Sequence, residues 1–109
     1  MAYDEALAER VRAGVAGVDG VAEKRMFGGL AFLVNGNMAV GVHGDDLIVR
    51  LAPEETDAAL AEEHVRVFDM TGRPLKGWVL VGKGAIADEE GLGTWVTRAV
   101  DFAESLPPK

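Results

Sequence analysis

The chain has 109 residues, 11 basic against 18 acidic, giving a formal net charge of −7, and it is 49% hydrophobic and 27% charged. That is too apolar for a disordered chain and too broken by charge to span a membrane; the length fits one domain over residues 1–109, which can bury roughly two-thirds of its unfolded surface without cross-links. The absence of cysteine excludes disulfides, thiolate-held zinc, iron–sulfur clusters and a cysteine nucleophile.

In chain order, residues 3–16 read as an amphipathic helix. Leu7, Val11 and Val15 recur every four residues with Ala8 beside them, while Glu9, Arg10 and Arg12 fall off that stripe. Asp4 suits the N-cap, and Gly17 and Gly20 suit the exit. Residues 21–51 then change to an extended pattern, with β-forming runs at 30–34, 38–42 and 47–51. Asn35-Gly36 separates the first two, and it is a strong hairpin signal because a type I′ turn needs positive φ at both central positions. Gly44-Asp45-Asp46 makes the next turn, which gives a three-stranded meander whose first strand is expected to bend or bulge at Gly28-Gly29. Pro53 opens a second helix over 53–63, alanine-rich around Leu60 and so shallowly buried. Residues 65–70 and 78–81 read as two more strands, joined through the turn-forming Thr71-Gly72-Arg73-Pro74. The closing helix is capped by Asp88 and carries the stripe Leu92, Trp95, Val96, Ala99, Phe102, Ala103 and Leu106 before Pro107-Pro108. The expected fold is α+β, a five-stranded antiparallel sheet with helices on one face, in the order α-β(3)-α-β(2)-α.

Charge divides along the same lines. Segments 1–23, 51–63 and 88–109, mainly helical, carry −11, and segments 24–50 and 64–87, mainly strand, carry +4. The face away from the helices is therefore expected to be the more basic, presenting some of Lys24, Arg25, Arg50, Arg66, Arg73 and Lys76. The alternative is that these cations pair with nearby acids on a solvated surface. Phe27 and Trp78 each lie beside glycine and near a cation, Arg25 and Lys76. With Lys24, Arg50 and Arg73 they form a candidate interaction surface. A nucleic-acid reader interleaves basic and aromatic residues on one strand face, as these positions could, but the net charge of −7 opposes it.

Catalytic patterns are not supported. His43 ends a strand beside Asp45 and Asp46, which fits a metal site or, better, an ordinary polar turn. The pairs Glu54-Glu55, Glu62-Glu63 and Glu89-Glu90 point to different sides of their helices and fit first-turn dipole effects. Met26-Phe27-Gly28-Gly29 is followed by a strand, not by the helix a phosphate-binding loop needs. No cofactor and no enzymatic activity are expected.

The run Lys24-Arg25-Met26-Phe27-Gly28-Gly29-Leu30-Ala31-Phe32-Leu33-Val34-Asn35-Gly36-Asn37-Met38-Ala39 closely resembles the N-terminal domain of the TfoX/Sxy competence-regulator family. That domain pairs a Met-Phe-Gly-Gly element with a hydrophobic strand and an Asn-Gly hairpin. Residues 70–78 and the closing helix also look like its small single-domain members, so the resemblance covers roughly residues 3–106. It implies a two-layer α+β fold in the same element order and a transcription-linked role in bacteria, where full-length relatives activate DNA-uptake genes. It carries over no catalytic residue. The sequence ends at Lys109 without the C-terminal helical domain of those relatives, and a stand-alone single-domain member is expected. The expectation is a non-enzymatic regulatory or adaptor domain that acts by protein association, as a homodimer with an unidentified protein partner. Direct nucleic-acid binding through the basic strand regions is the alternative, expected to be weak, and an activity around His43 and Asp45/Asp46 is a third reading. The acidic start Met1-Ala2-Tyr3-Asp4-Glu5 differs from the basic start of a secretory signal, so a cytoplasmic protein without membrane association is expected.

Overall fold

In the computed structural model, which describes residues 3–26, 28–68 and 76–108, Asn35 and Gly36 take φ of 53° and 85°. These are the two left-handed residues of the expected hairpin turn. They join β2 (Gly29–Val34) to β3 (Asn37–His43), with Val34 opposite Asn37. Gly44-Asp45 then turns the chain into β4 (Asp46–Arg50), with Gly44 at φ 58° and His43 opposite Asp46.

Upstream, residues 21–26 form a strand of their own, β1 (Val21–Met26), antiparallel to β2 with Met26 opposite Gly29. The chain thus reverses between Met26 and Gly29, with Gly29 already in β2, rather than bending inside one strand; a register shift falls instead between Phe32 and Leu33. The two glycines answer different demands. Gly28 has φ 72° with open space around it, whereas a Cβ on Gly29 would overlap the carbonyl oxygen of Val42 on the neighbouring strand.

Past β4, a 3-10 turn at Pro53–Glu55 leads into α2 (Thr56–Leu60), followed by β5 (Val65–Val67) and β6 (Trp78–Val81). β6 inserts between β4 and β5, so the antiparallel sheet runs β1-β2-β3-β4-β6-β5. It has six strands where five were expected. The first helix, α1 (Glu5–Gly14), is shorter than the 3–16 span, and the second stops at Leu60 rather than residue 63. Asp69, Met70 and the turn Thr71-Gly72-Arg73-Pro74 lie outside the described residues. Two helices close the chain: the four-residue α3 (Lys83–Ile86), which is too short to mark the sequence with a stripe, and α4 (Glu89–Glu104). The observed order is therefore α-β(4)-α-β(2)-α-α.

Asp4 and Asp88 cap α1 and α4 as expected: Asp4 accepts from the N–H groups of Ala6 and Leu7, and Asp88 from that of Gly91. All the helices contribute to one face of the sheet. Leu7 and Val11 of α1, Ala59 of α2, Ile86 of α3 and Leu92, Trp95, Val96 and Ala99 of α4 pack over Leu30, Phe32, Val40, Val42, Leu47, Val49, Val79 and Val81. Phe102, expected in the same stripe, is only partly buried. A second, smaller cluster occupies the opposite face: Ala31, Met38, Ile48 and Phe68, with Met26, Leu33, Trp78 and Leu80 partly buried around them. Strands β2 to β4 are therefore apolar on both faces, and their sequences read as continuous hydrophobic runs. Two buried polar side chains tie distant segments together. The Asn37 amide donates to the Pro107 carbonyl at 2.9 Å, and the Thr56 hydroxyl accepts from the Gly77 N–H at 2.7 Å.

Three outcomes are expected in urea unfolding. Gly28→Ala costs about 1–2 kcal/mol, the penalty of a left-handed backbone at a residue with a Cβ, and Gly29→Ala costs more, about 3 kcal/mol, because backbone must move apart. Trp95→Ala loses about 3–5 kcal/mol, the range for emptying a large core site; an unchanged midpoint would take α4 out of the core.

Candidate functional site

The helix-free face gathers its side chains by strand alternation. Val79 and Val81 point to the helices, so Trp78 and Leu80 point away from them, and Arg50 stands opposite Trp78 across the β4–β6 pairing. The Arg50 guanidinium carbon lies 5.2 Å from the centroid of the Trp78 ring and 5.7 Å from that of Phe102, near the C-terminal end of α4. Phe68 packs beside the same indole, with ring centroids 5.9 Å apart and planes tilted by 41°. Trp78 thus has a cation over it and a ring against it.

Of the seven residues proposed from the sequence, the structure brings Arg50 and Trp78 into contact. Lys76 is exposed in the turn two residues before Trp78. Lys24 shares the face of Met26 on edge strand β1, three strand spacings or at least about 14 Å from β4. Arg25 is exposed opposite Leu30, so its side chain starts on the helix-bearing side. Phe27 and Arg73 lie outside the described residues. Phe102 was expected in the stripe of the closing helix and Phe68 was not singled out within its strand, yet both contribute here. For Phe102 a signal existed: at about 100° per residue it falls at the margin of the α4 stripe, one turn after Arg98.

Pairing with acids governs other cations of the surface. Arg66 ion-pairs with Asp46, Lys83 with Asp45 at 3.2 Å, and Arg98 with Glu62 at 3.2 Å while stacking 4.3 Å from the Trp95 ring. Both aspartates beside His43 are thus engaged by cations. Among the described residues no group of three His, Asp or Glu could hold a metal ion. A cleft of about 590 Å³ between α2 and α4 is lined by Ala52, Glu55, Ala58, Arg98, Asp101 and Phe102.

The edge strand is fixed to α1 by a two-pronged pair. Arg12 Nε and Nη2 donate to the two Glu23 oxygens at 2.5 and 2.7 Å, and Glu9 takes a further Arg12 N–H. The hydrogen bonds from Arg12 hold the Glu23 carboxyl below its ordinary value, and those to Glu23 raise Arg12 further.

The sequence model of the TfoX N-terminal domain matches residues 13–103, from the end of α1 to the last turn of α4 and across the whole sheet. The chain belongs to the TfoX N-terminal domain family. No curated protein and no solved structure matches it. The family's span includes the Gly28-Gly29 reversal, the Asn35-Gly36 hairpin and the Arg50–Trp78 contact. Among the described residues, no helix is long and apolar enough to cross a membrane.

The Arg12–Glu23 pair makes stability depend on acid. Because the folded value of Glu23 is depressed, its contribution is whole above the ordinary value of 4.5 and is lost as pH falls through the folded value. Urea midpoints of the natural protein and Glu23→Gln are expected to differ at neutral pH and to converge on acidification. A gap that stays constant with pH would remove the ion pair as its source.

Proposed function

We propose that this TfoX N-terminal domain is a non-enzymatic regulatory or adaptor module of the bacterial cytoplasm, working in transcription or competence-type regulation through protein association, as a homodimer that also engages a further protein. The observation that supports it is the half-buried apolar cluster on the helix-free face, Met26, Leu33, Trp78 and Leu80 around Ile48 and Phe68. Contiguous apolar surface on a small domain is an association surface in waiting, since covering it removes further area from water. Family membership supports the regulatory setting.

Direct nucleic-acid binding is the second reading, favoured by the Arg50–Trp78 contact. Against it, the Trp78 ring is engaged by Arg50 and Phe68, which competes with a stacking base, and Lys24 and Arg25 sit on the far edge of the sheet. Two or three scattered cations neutralise too few phosphates for tight binding.

In sedimentation over a concentration series, the domain is expected to form a dimer, and tagged domain is expected to retain a defined protein from its native cell. Leu80→Glu, with its fold checked by circular dichroism, is expected to abolish at least one of these associations. Persistence of both would remove the helix-free face as the association surface. In anisotropy titrations at physiological salt, a short DNA duplex is expected to bind no tighter than micromolar. Sub-micromolar affinity that collapses on Arg25→Glu or Arg73→Glu would replace protein association with nucleic-acid binding.

A further inference from the structure

Building on the association reading above, we infer that Arg50 is the anchor for a carboxylate, an Asp or Glu flanked by apolar residues, on the protein partner. The first observation is the company the arginines keep. Acids outnumber bases 18 to 11 in this chain. Arg10, Arg12, Arg66 and Arg98 each pair with a carboxylate, Glu89, Glu23, Asp46 and Glu62 respectively. Arg50 has no such partner among the described residues, although it is half-buried; its contacts are the rings of Trp78 and Phe102. Arg25, also without an acid among the described residues, is exposed on the edge strand, where water serves it.

The second observation is geometric. Rings engage a guanidinium through its flat faces, while its five N–H donors lie in the plane and point outward. With the two rings as its only contacts, the Arg50 guanidinium has no hydrogen-bond acceptor among the described residues, and a carboxylate completes its fork with two parallel hydrogen bonds. The rings that hold Arg50 also offer apolar walls to the carbon chain beside that carboxylate. Lys76, exposed two residues before Trp78, supplies a second cation near this rim of the sheet.

Charge around the rim selects the kind of occupant. Phe102 also lines the cleft that holds Glu55 and Asp101, so a polyanion lying over Arg50 would meet two carboxylates next to it. A single carboxylate among apolar groups avoids them. A second copy of this chain carries most of its acids in its mainly helical segments, which sum to −11 and pack on the other side of the sheet. Such head-to-tail docking gives rings or filaments, not a two-fold dimer. The occupant is therefore a different protein.

The test is a peptide array probed with the full-length labelled domain. Each peptide has a central Glu, Asp, Gln, Lys or phosphoserine within varied apolar flanks. Glu and Asp peptides are expected to retain the domain about tenfold better than their Gln counterparts, with that preference lost in Arg50→Gln and kept in Arg25→Gln. Arg50→Lys preserves a cation over the rings but not the two-pronged donor; it guards against misfolding of Arg50→Gln and is expected to lose most of the preference as well. Equal retention of Gln peptides, an unaltered preference in folded Arg50→Lys, retention of phosphoserine peptides alone, or displacement of bound Glu peptide by a short DNA duplex at equal concentration would each overturn the assignment. If a protein lost on Leu80→Glu is still captured while the array shows no acidic preference, the anchor fails and the association reading stands. If neither dimer nor captured protein is found but the carboxylate preference is, the association reading fails and the anchor stands.

Discussion

The sheet depends on how little chain is spent on reversing direction. Val34 faces Asn37 and His43 faces Asp46, so two residues make each turn, and Met26 faces Gly29 at the first reversal. Turns that short leave no slack in register, and a slip of one residue would send each strand's apolar set to the wrong face. Left-handed backbone at Gly28, Asn35, Gly36 and Gly44 makes such reversals accessible. With register fixed, Phe32, Val40 and Val49 meet the helices while Ala31, Met38 and Ile48 build the opposite cluster.

What was legible in the sequence is what a few neighbouring residues decide alone. The Asn35-Gly36 turn, the Asp4 and Asp88 caps and the α4 stripe apart from Phe102 and Leu106 depend on local chemistry, and they stand where the sequence places them. Strand β1 was hidden because it is an edge: its central Ala22-Glu23-Lys24-Arg25 is exposed, leaving no apolar alternation, and charged residues there discourage pairing with another chain. Its attachment to α1 comes from Arg12, eleven residues back. Arg50 and Trp78 were each visible as candidates, but their contact depends on β6 entering the sheet beside β4, a pairing between segments that no spacing encodes.

Charge shows the same limit. A surplus of +4 in the strand segments suggested a basic face, yet the cations were dispersed by pairing and by geometry. Arg66 and Lys83 are held by the aspartates of the β3–β4 turn region, and Arg25 leaves on the helix-bearing side. Arg10 is drawn inward as well: its Nη2 donates to the Ile86 carbonyl at 2.8 Å and its Nε to Glu89 at 2.7 Å, so one side chain joins α1 to the end of α3 and the start of α4. Segment totals count charges, but function turns on which of them remain unneutralised.

The hydrogen bond from Asn37 to the Pro107 carbonyl spans seventy positions of the chain. During vectorial synthesis, the hairpins made by β1 to β4 emerge long before Pro107 does. Until then the Asn37 amide lacks its native acceptor, and the apolar side destined for α4 stands open to water, chaperones and proteases. Helix α4 is therefore the seal of a sheet made before it. A nascent chain stalled short of it would leave that apolar side uncovered, open to association with neighbouring chains.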